Sequence, residues 1–169
     1  MLLSCLAAIL GAESVASLRW TPPRDWKNEG SRPMRVATYM VPPAPGDTDP
    51  AECAVYFFGA GQGGGIDANL ERWKGQLRGP GGKPVEAKTG KRTVHGLSVT
   101  TIDASGEYAG MGGPMAAAKS SKPGYRLLGA IVEGPQGNVF LKFTGPAKTI
   151  AANQTKFEQM LASFEKESK

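Results

Sequence analysis

A chain of 169 residues with 40% hydrophobic and 21% charged residues reads as one globular domain with a modest core, not a disordered segment. Two cysteines exclude a disulfide framework, one histidine excludes a zinc site built on two histidines, and 23 glycines with 13 prolines call for short elements and many turns. The formal net charge is +5, and the stretch from Ala68 to Arg92, with seven Lys or Arg against Glu71 and Glu86, carries that whole excess; such a patch attracts anionic partners or is simply a solvated helix face and loop.

The chain opens on "MLLSCLAAILGAESVAS", an apolar run followed by small residues. It falls short of the about 20 apolar residues of a membrane span. It has the form of a secretory signal without its positive n-region, and Val15-Ala16-Ser17 offers a cleavage site. Residues 1–17 are therefore expected to be a signal or lipoprotein leader, and residues 18–169 a single domain. Leu2-Leu3-Ser4-Cys5 has the outline of a bacterial lipobox, with Cys5 as the lipidated residue; a buried N-terminal helix is the alternative. With the leader removed or Cys5 lipidated, Cys53 stands alone as a packing residue.

Residues 18–33 place Trp20 and Trp26 among prolines, as an irregular or edge segment whose indoles cap a core. "MRVATYMV" (34–41) and "CAVYFFG" (53–59) read as strands joined into a long hairpin by a Pro-rich loop. A helix is expected from Asp67 to about Leu77, capped by Asp67, with Leu70, Trp73 and Leu77 on one face. "RGPGGKPVEAKTGK" (78–91) reads as a basic loop, and 93–103 as one or two strands kinked at Gly96, running on to Tyr108. A small-residue loop (110–124) precedes the plainest hairpin, 125–145. The C-terminus is a helix with Pro146 in its first turn and Ile150, Phe157, Leu161 and Phe164 along one face. Hairpin-linked neighbours imply an α+β fold: a largely antiparallel sheet with two packed helices.

Within "FFGAGQGGGIDANLERW", Gly59, Gly61 and Gly64 spell the glycine pattern of a dinucleotide turn between a strand and a helix. The surrounding chain does not supply the rest. Only one helix separates strands, Glu86 sits in a loop, and Asp67 puts negative charge where a pyrophosphate needs positive potential. The glycines then serve close packing, with weak anion binding at Gly63, Gly64 and Gly65 as the remaining functional reading. His95 has no nucleophile-elbow motif to work with. Asp47 and Asp49 suggest a calcium loop, but the sixth and twelfth positions hold Glu52 and Phe58 instead of the required Gly and Glu. Met111 and Met115 alone are a thin set for soft Cu(I), and the basic stretch lacks the interleaved aromatics of a single-strand nucleic-acid binder.

The position of Trp26, the hairpin "YRLLGAIVEGPQGNVFLKFTGP" and the ending Phe157-Glu158-Gln159-Met160-Leu161-Ala162-Ser163-Phe164 resemble the PsbP-like fold of a photosystem II extrinsic subunit and its exported bacterial relatives. "RVATY", "FGAGQGGGIDANLERW" and "FLKFTGP" are similar to segments of a group of bacterial exported proteins. The resemblance implies a non-enzymatic accessory or binding protein at a membrane complex, and the photosynthetic subunit's metal-related residues do not map onto this chain.

The expectation is an exported or membrane-tethered, non-catalytic domain that docks on a protein partner, a membrane complex or an anionic surface. Asn69, Arg72, Trp73, Lys74 and Arg78, with the basic loop beyond and the 110–124 loop, would form its surface. The alternatives are a carrier holding a small ligand or lipid between sheet and helix, and an enzyme built around His95, Asp103 and Glu107. No cofactor, metal or nucleic acid is expected.

Overall fold

The computed structural model describes residues 12–109 and 121–168. In chain order these form β1 (Glu13–Val15), β2 (Leu18–Trp20), β3 (Lys27–Asn28), β4 (Arg35–Val41), β5 (Ala51–Phe57), α1 (Ile66–Lys74), β6 (Leu77–Arg78), β7 (Ala87–Val94), β8 (Leu97–Tyr108), β9 (Lys122–Gly134), β10 (Gly137–Pro146), α2 (Ala147–Ala162) and β11 (Glu165–Lys166). The large sheet has the order β3-β4-β5-β10-β9-β8-β6, and β7 also pairs with β8. A small sheet joins β1, β2 and β11. Every pairing is antiparallel, and two helices pack on the large sheet, so the architecture is the α+β arrangement expected from the hairpin-rich order.

The two faces of the sheet bury different cores. Along β10, Val139, Leu141 and Phe143 face α2 while Phe140, Lys142 and Thr144 face the side of α1. On the α2 side, Ile150, Phe157, Leu161 and Phe164 are fully buried against β4, β5, β9 and β10. Trp20 stacks on Phe164 with ring centroids 5.2 Å apart. The Trp26 indole N–H donates to Asn153 Oδ1 at 3.2 Å, so the polar tip of a core aromatic is satisfied. Asp47, in the Pro-rich loop, accepts from the backbone N–H of Thr149 at 3.0 Å and from its hydroxyl at 2.6 Å. It supplies the N-terminal cap that Pro146 cannot.

Several local expectations are corrected. α1 starts at Ile66 with Gly65 as its N-cap, so Asp67 lies inside the first turn and makes no cap. The helix ends before Gly75, and Leu77, which continues its apolar period, is the buried first residue of β6. Residues 87–91, read as loop, belong to an edge strand that runs on to Val94 and is exposed over most of its length. The kink at Gly96 is a two-residue hairpin turn, with His95 at φ +45° and Gly96 at φ +76°. Pro146 is the residue before α2, and Phe164 lies beyond its end. Glu13–Val15, inside the expected leader, pairs with β2. Cys5, Met111, Met115 and most of the 110–124 loop lie outside the described residues, while Lys122–Gly124 begin β9.

Candidate binding site on the α1 face of the sheet

α1 packs on β8 and β9 and brings the Trp73 indole against Gly129. A Cβ at Gly129 would stand 2.6 Å from the Trp73 ring, so only glycine lets the indole rest on the sheet. Leu70 and Trp73 fill this second core with Ile102, Leu127, Ile131 and Phe140. The glycine turn before α1 folds back onto the same layer. Gly63, at φ +90°, sits so close to Phe58 and Phe140 that a Cβ would lie 2.7 and 2.8 Å from their rings. The Asn69 side-chain amide donates to the carbonyls of Gly63 and Gly65, 2.8 Å each, and its oxygen accepts from Arg72.

These contacts place the residues singled out in the sequence. Arg72 and Arg78 are exposed and Lys74 is half-buried beside Glu71. Asn69 and Trp73 are buried and cannot belong to a docking surface: one ties down the glycine turn and the other anchors α1. Around Gly63, Gly64 and Gly65, two carbonyls already accept from Asn69 and Asp67 stands in the helix's first turn. β5 and β6, the strands flanking α1, lie on opposite sides of β10, β9 and β8, so the parallel pair of a dinucleotide-binding unit does not exist here.

Beside Trp73 lies a pocket of about 210 Å³ lined by Tyr56, Phe58, Arg72, Trp73, Phe140 and Lys142. Its walls are mostly aromatic: Tyr56 stacks on Phe58 at 5.9 Å, and Phe58 meets Phe140 edge-on at 5.5 Å. Lys142, only 6% exposed, is the residue sequence reading missed. Its Nζ donates to Gln76 Oε1 at 3.0 Å and to the Tyr108 hydroxyl at 3.2 Å. Among the described residues it has no carboxylate partner, since the nearby Glu52 is paired with Arg35 at 2.9 Å. Burial first, and the charges of Arg35 and Arg72 after it, pull the Lys142 amine down to about 8, against the opposing effect of Glu52. The same burial pushes the Tyr56 and Tyr108 phenols up, so both stay protonated at neutral pH. The sheet face around Lys142 also carries Thr38, Thr100 and Thr144, whose buried hydroxyls have no partner among the described residues. The signal was present in "VFLKFTG": a single charge in a strand whose neighbours on both faces are apolar.

The residues proposed for an enzyme do not converge. His95 sits in a hairpin turn and bonds through Nδ1 to the Phe164 carbonyl at 2.9 Å, with the ring N–H donating. Glu107 is exposed at the far end of β8, roughly 33 Å away at about 3.3 Å per residue. Asp103 lies between them, held by both arms of Arg126 at 2.9 and 2.8 Å. Asp49 accepts from Lys122 at 2.7 Å and Tyr125 at 2.9 Å, and no group of three metal-ligating His, Cys, Asp or Glu side chains gathers among the described residues. Cys53 is buried, which pushes its thiol up and leaves it unreactive.

No protein-family model matches the sequence, and no curated protein is detectably similar to it. Two solved structures are similar in shape over nearly the whole chain. The solution structure of cyanobacterial PsbP (CyanoP) from Synechocystis sp. PCC 6803 gives a TM-score of 0.59 at 11% identity, covering 96% of this chain and 97% of that one. The fold is PsbP-like. A crystal structure of a Pseudomonas aeruginosa protein of unknown function gives 0.52 at 14% identity, covering 94% and 98%. At such identities the likeness speaks for the PsbP-like fold and not for a site. Among the described residues no helix is long and apolar enough to cross a membrane.

Proposed function

We propose that the protein is a non-catalytic, exported accessory domain, periplasmic or tethered to the outside of a membrane, that docks on an acidic surface of a protein partner or membrane complex. The observation that carries this reading is where the charge sits. Five of the seven cations of the 68–92 stretch, Arg78, Lys83, Lys88, Lys91 and Arg92, follow one edge of the sheet, where β6 and β7 both pair with β8. Lys83, Lys88 and Lys91 are exposed there without an ion-pair partner among the described residues, and Arg78 adds to them. No described strand pairs with the outer side of β7, so its backbone donors and acceptors are available beside those cations.

The test is co-purification from gently solubilised membranes, comparing the native chain with a Lys83→Glu/Lys88→Glu/Lys91→Glu variant, while mass spectrometry reads the mature N-terminus. Loss of the partner at unchanged thermal stability supports the reading. An unchanged set of partners sinks it, and an uncleaved, unmodified N-terminus in the cytoplasmic fraction sinks the export part. A second reading, a carrier for a small ligand, is favoured by the pocket over Lys142.

A further inference from the structure

From the geometry of that pocket we infer that it is a binding site for a small aromatic monocarboxylate, with the ring between Phe58, Trp73 and Phe140 and the carboxylate on Lys142 and Arg72. The inference rests on the carrier reading and is independent of the docking edge. Size sets the first limit. A cavity of about 150 Å³ accepts benzene, so about 210 Å³ holds one ring with a short acid chain and excludes a lipid acyl pair. Chemistry sets the second. Four of the six lining residues are aromatic, and their stacked and edge-on arrangement suits a further ring.

Charge sets the third limit. The two lining residues that are not aromatic, Arg72 and Lys142, are both cations, and no carboxylate lines the pocket. Gln76 and Tyr108 occupy two of the three N–H donors of Lys142. A buried ammonium with no ionic partner among the described residues is costly to keep, and an incoming carboxylate would supply the missing charge and acceptor. Arg72 is exposed at the mouth and is held by Asn69, so a second cation is already oriented at the entrance. Tyr56 and Phe58, both half-buried, leave the entrance open to solvent.

The experiment titrates the full chain with 3-phenylpropionate, 3-phenylpropionamide and acetate, followed by calorimetry and by the indole N–H signal of Trp73. The expected dissociation constant for 3-phenylpropionate is on the order of 0.1–1 mM for a ligand of this size, with the amide and acetate each weaker by about tenfold or more. Lys142→Met, which keeps the side-chain volume, is expected to cost about tenfold for the acid while leaving the amide unchanged. Arg72→Gln, at an exposed position, serves as the second variant, with a loss of a few fold expected at unchanged stability. Equal binding of acid and amide would keep the pocket and overturn the carboxylate assignment. No saturation with either ring compound up to about 10 mM would overturn the pocket itself, and undiminished acid binding by Lys142→Met would place the acid elsewhere.

Discussion

Lys142→Met is expected to make the protein more stable at neutral pH, against the usual direction of core substitutions. The folded environment pulls the amine from its ordinary 10.5 to about 8, which corresponds to about 3 kcal/mol of stability withheld at pH 7. Replacing it by an apolar side chain of similar length relieves that cost. The change also leaves the buried Gln76 oxygen and the Tyr108 oxygen without their donor, at about 1–2 kcal/mol together. A net gain of about 1–2 kcal/mol follows, or a Tm higher by about 3–6 °C for a chain of this length. The sign with pH is equally specific. Between about pH 8 and 10.5 the unfolded chain binds a proton that the folded chain has lost, so the native protein gains stability as pH rises and the variant does not. Calorimetric melts of both proteins from pH 7 to 10.5 should therefore show a gap that closes with pH and then reverses, the native protein becoming the more stable one, with the difference cancelling every other titrating group. A variant that is less stable at pH 7, by an amount that does not change with pH, would refute the reasoning and make Lys142 a structural hub.

Gly129→Ala should cost about 1–3 kcal/mol, because its Cβ would enter the Trp73 ring; a denaturant midpoint equal to the native one would contradict the contact. Asp47→Ala should cost about 1 kcal/mol through the lost bonds to Thr149 at the start of α2, measured by denaturant unfolding, with no effect on 3-phenylpropionate binding. Binding of an acidic partner to the β7 edge should weaken steeply as salt rises from about 0.05 to 0.2 M, whereas transfer of the aromatic acid into the pocket should respond far less.

Much of the fold was legible because its pattern is strong. The β9–β10 hairpin, the β4–β5 pair and the buried face of α2 all carry runs of apolar residues at the period their structure needs. Most of β7 was not legible because "AKTGKRTV" is exposed between its half-buried ends, Ala87 and Val94, so no alternation marks it; only pairing with β8 makes it a strand. Leu77 misled because a helical period ran on past Gly75 into a residue buried by β6 instead. The docking residues split for a related reason: a nine-residue helix on a sheet must bury some of its polar-looking positions, and Asn69 is buried because it ties the glycine turn. Lys142 was visible as an oddity, but its meaning required knowing that both faces of β10 are covered and that the wall beside it comes from α1, about 70 residues earlier in the chain.

The glycine turn that imitates a nucleotide motif offers the sharpest separation between the two readings. In the dinucleotide pattern Gly59, Gly61 and Gly64 matter and residue 63 is free. In the structure a Cβ at Gly61 meets nothing within 4 Å, and those at Gly59 and Gly64 make only ordinary contacts at 3.6 and 3.5 Å. Gly63 is the crowded one, wedged between Phe58 and Phe140, two walls of the pocket. Gly61→Ala and Gly63→Ala share a left-handed backbone, φ +68° and +90°, and so share a strain of about 1–2 kcal/mol. Gly63→Ala adds a clash with two aromatic rings, worth about 1–3 kcal/mol more. It should displace Phe58 and reduce 3-phenylpropionate binding by about tenfold, while Gly61→Ala binds as the native chain does. Equal losses at 61 and 63, or a greater loss at 61, would mean that the turn works through its backbone at the pattern positions and not as the support of an aromatic wall.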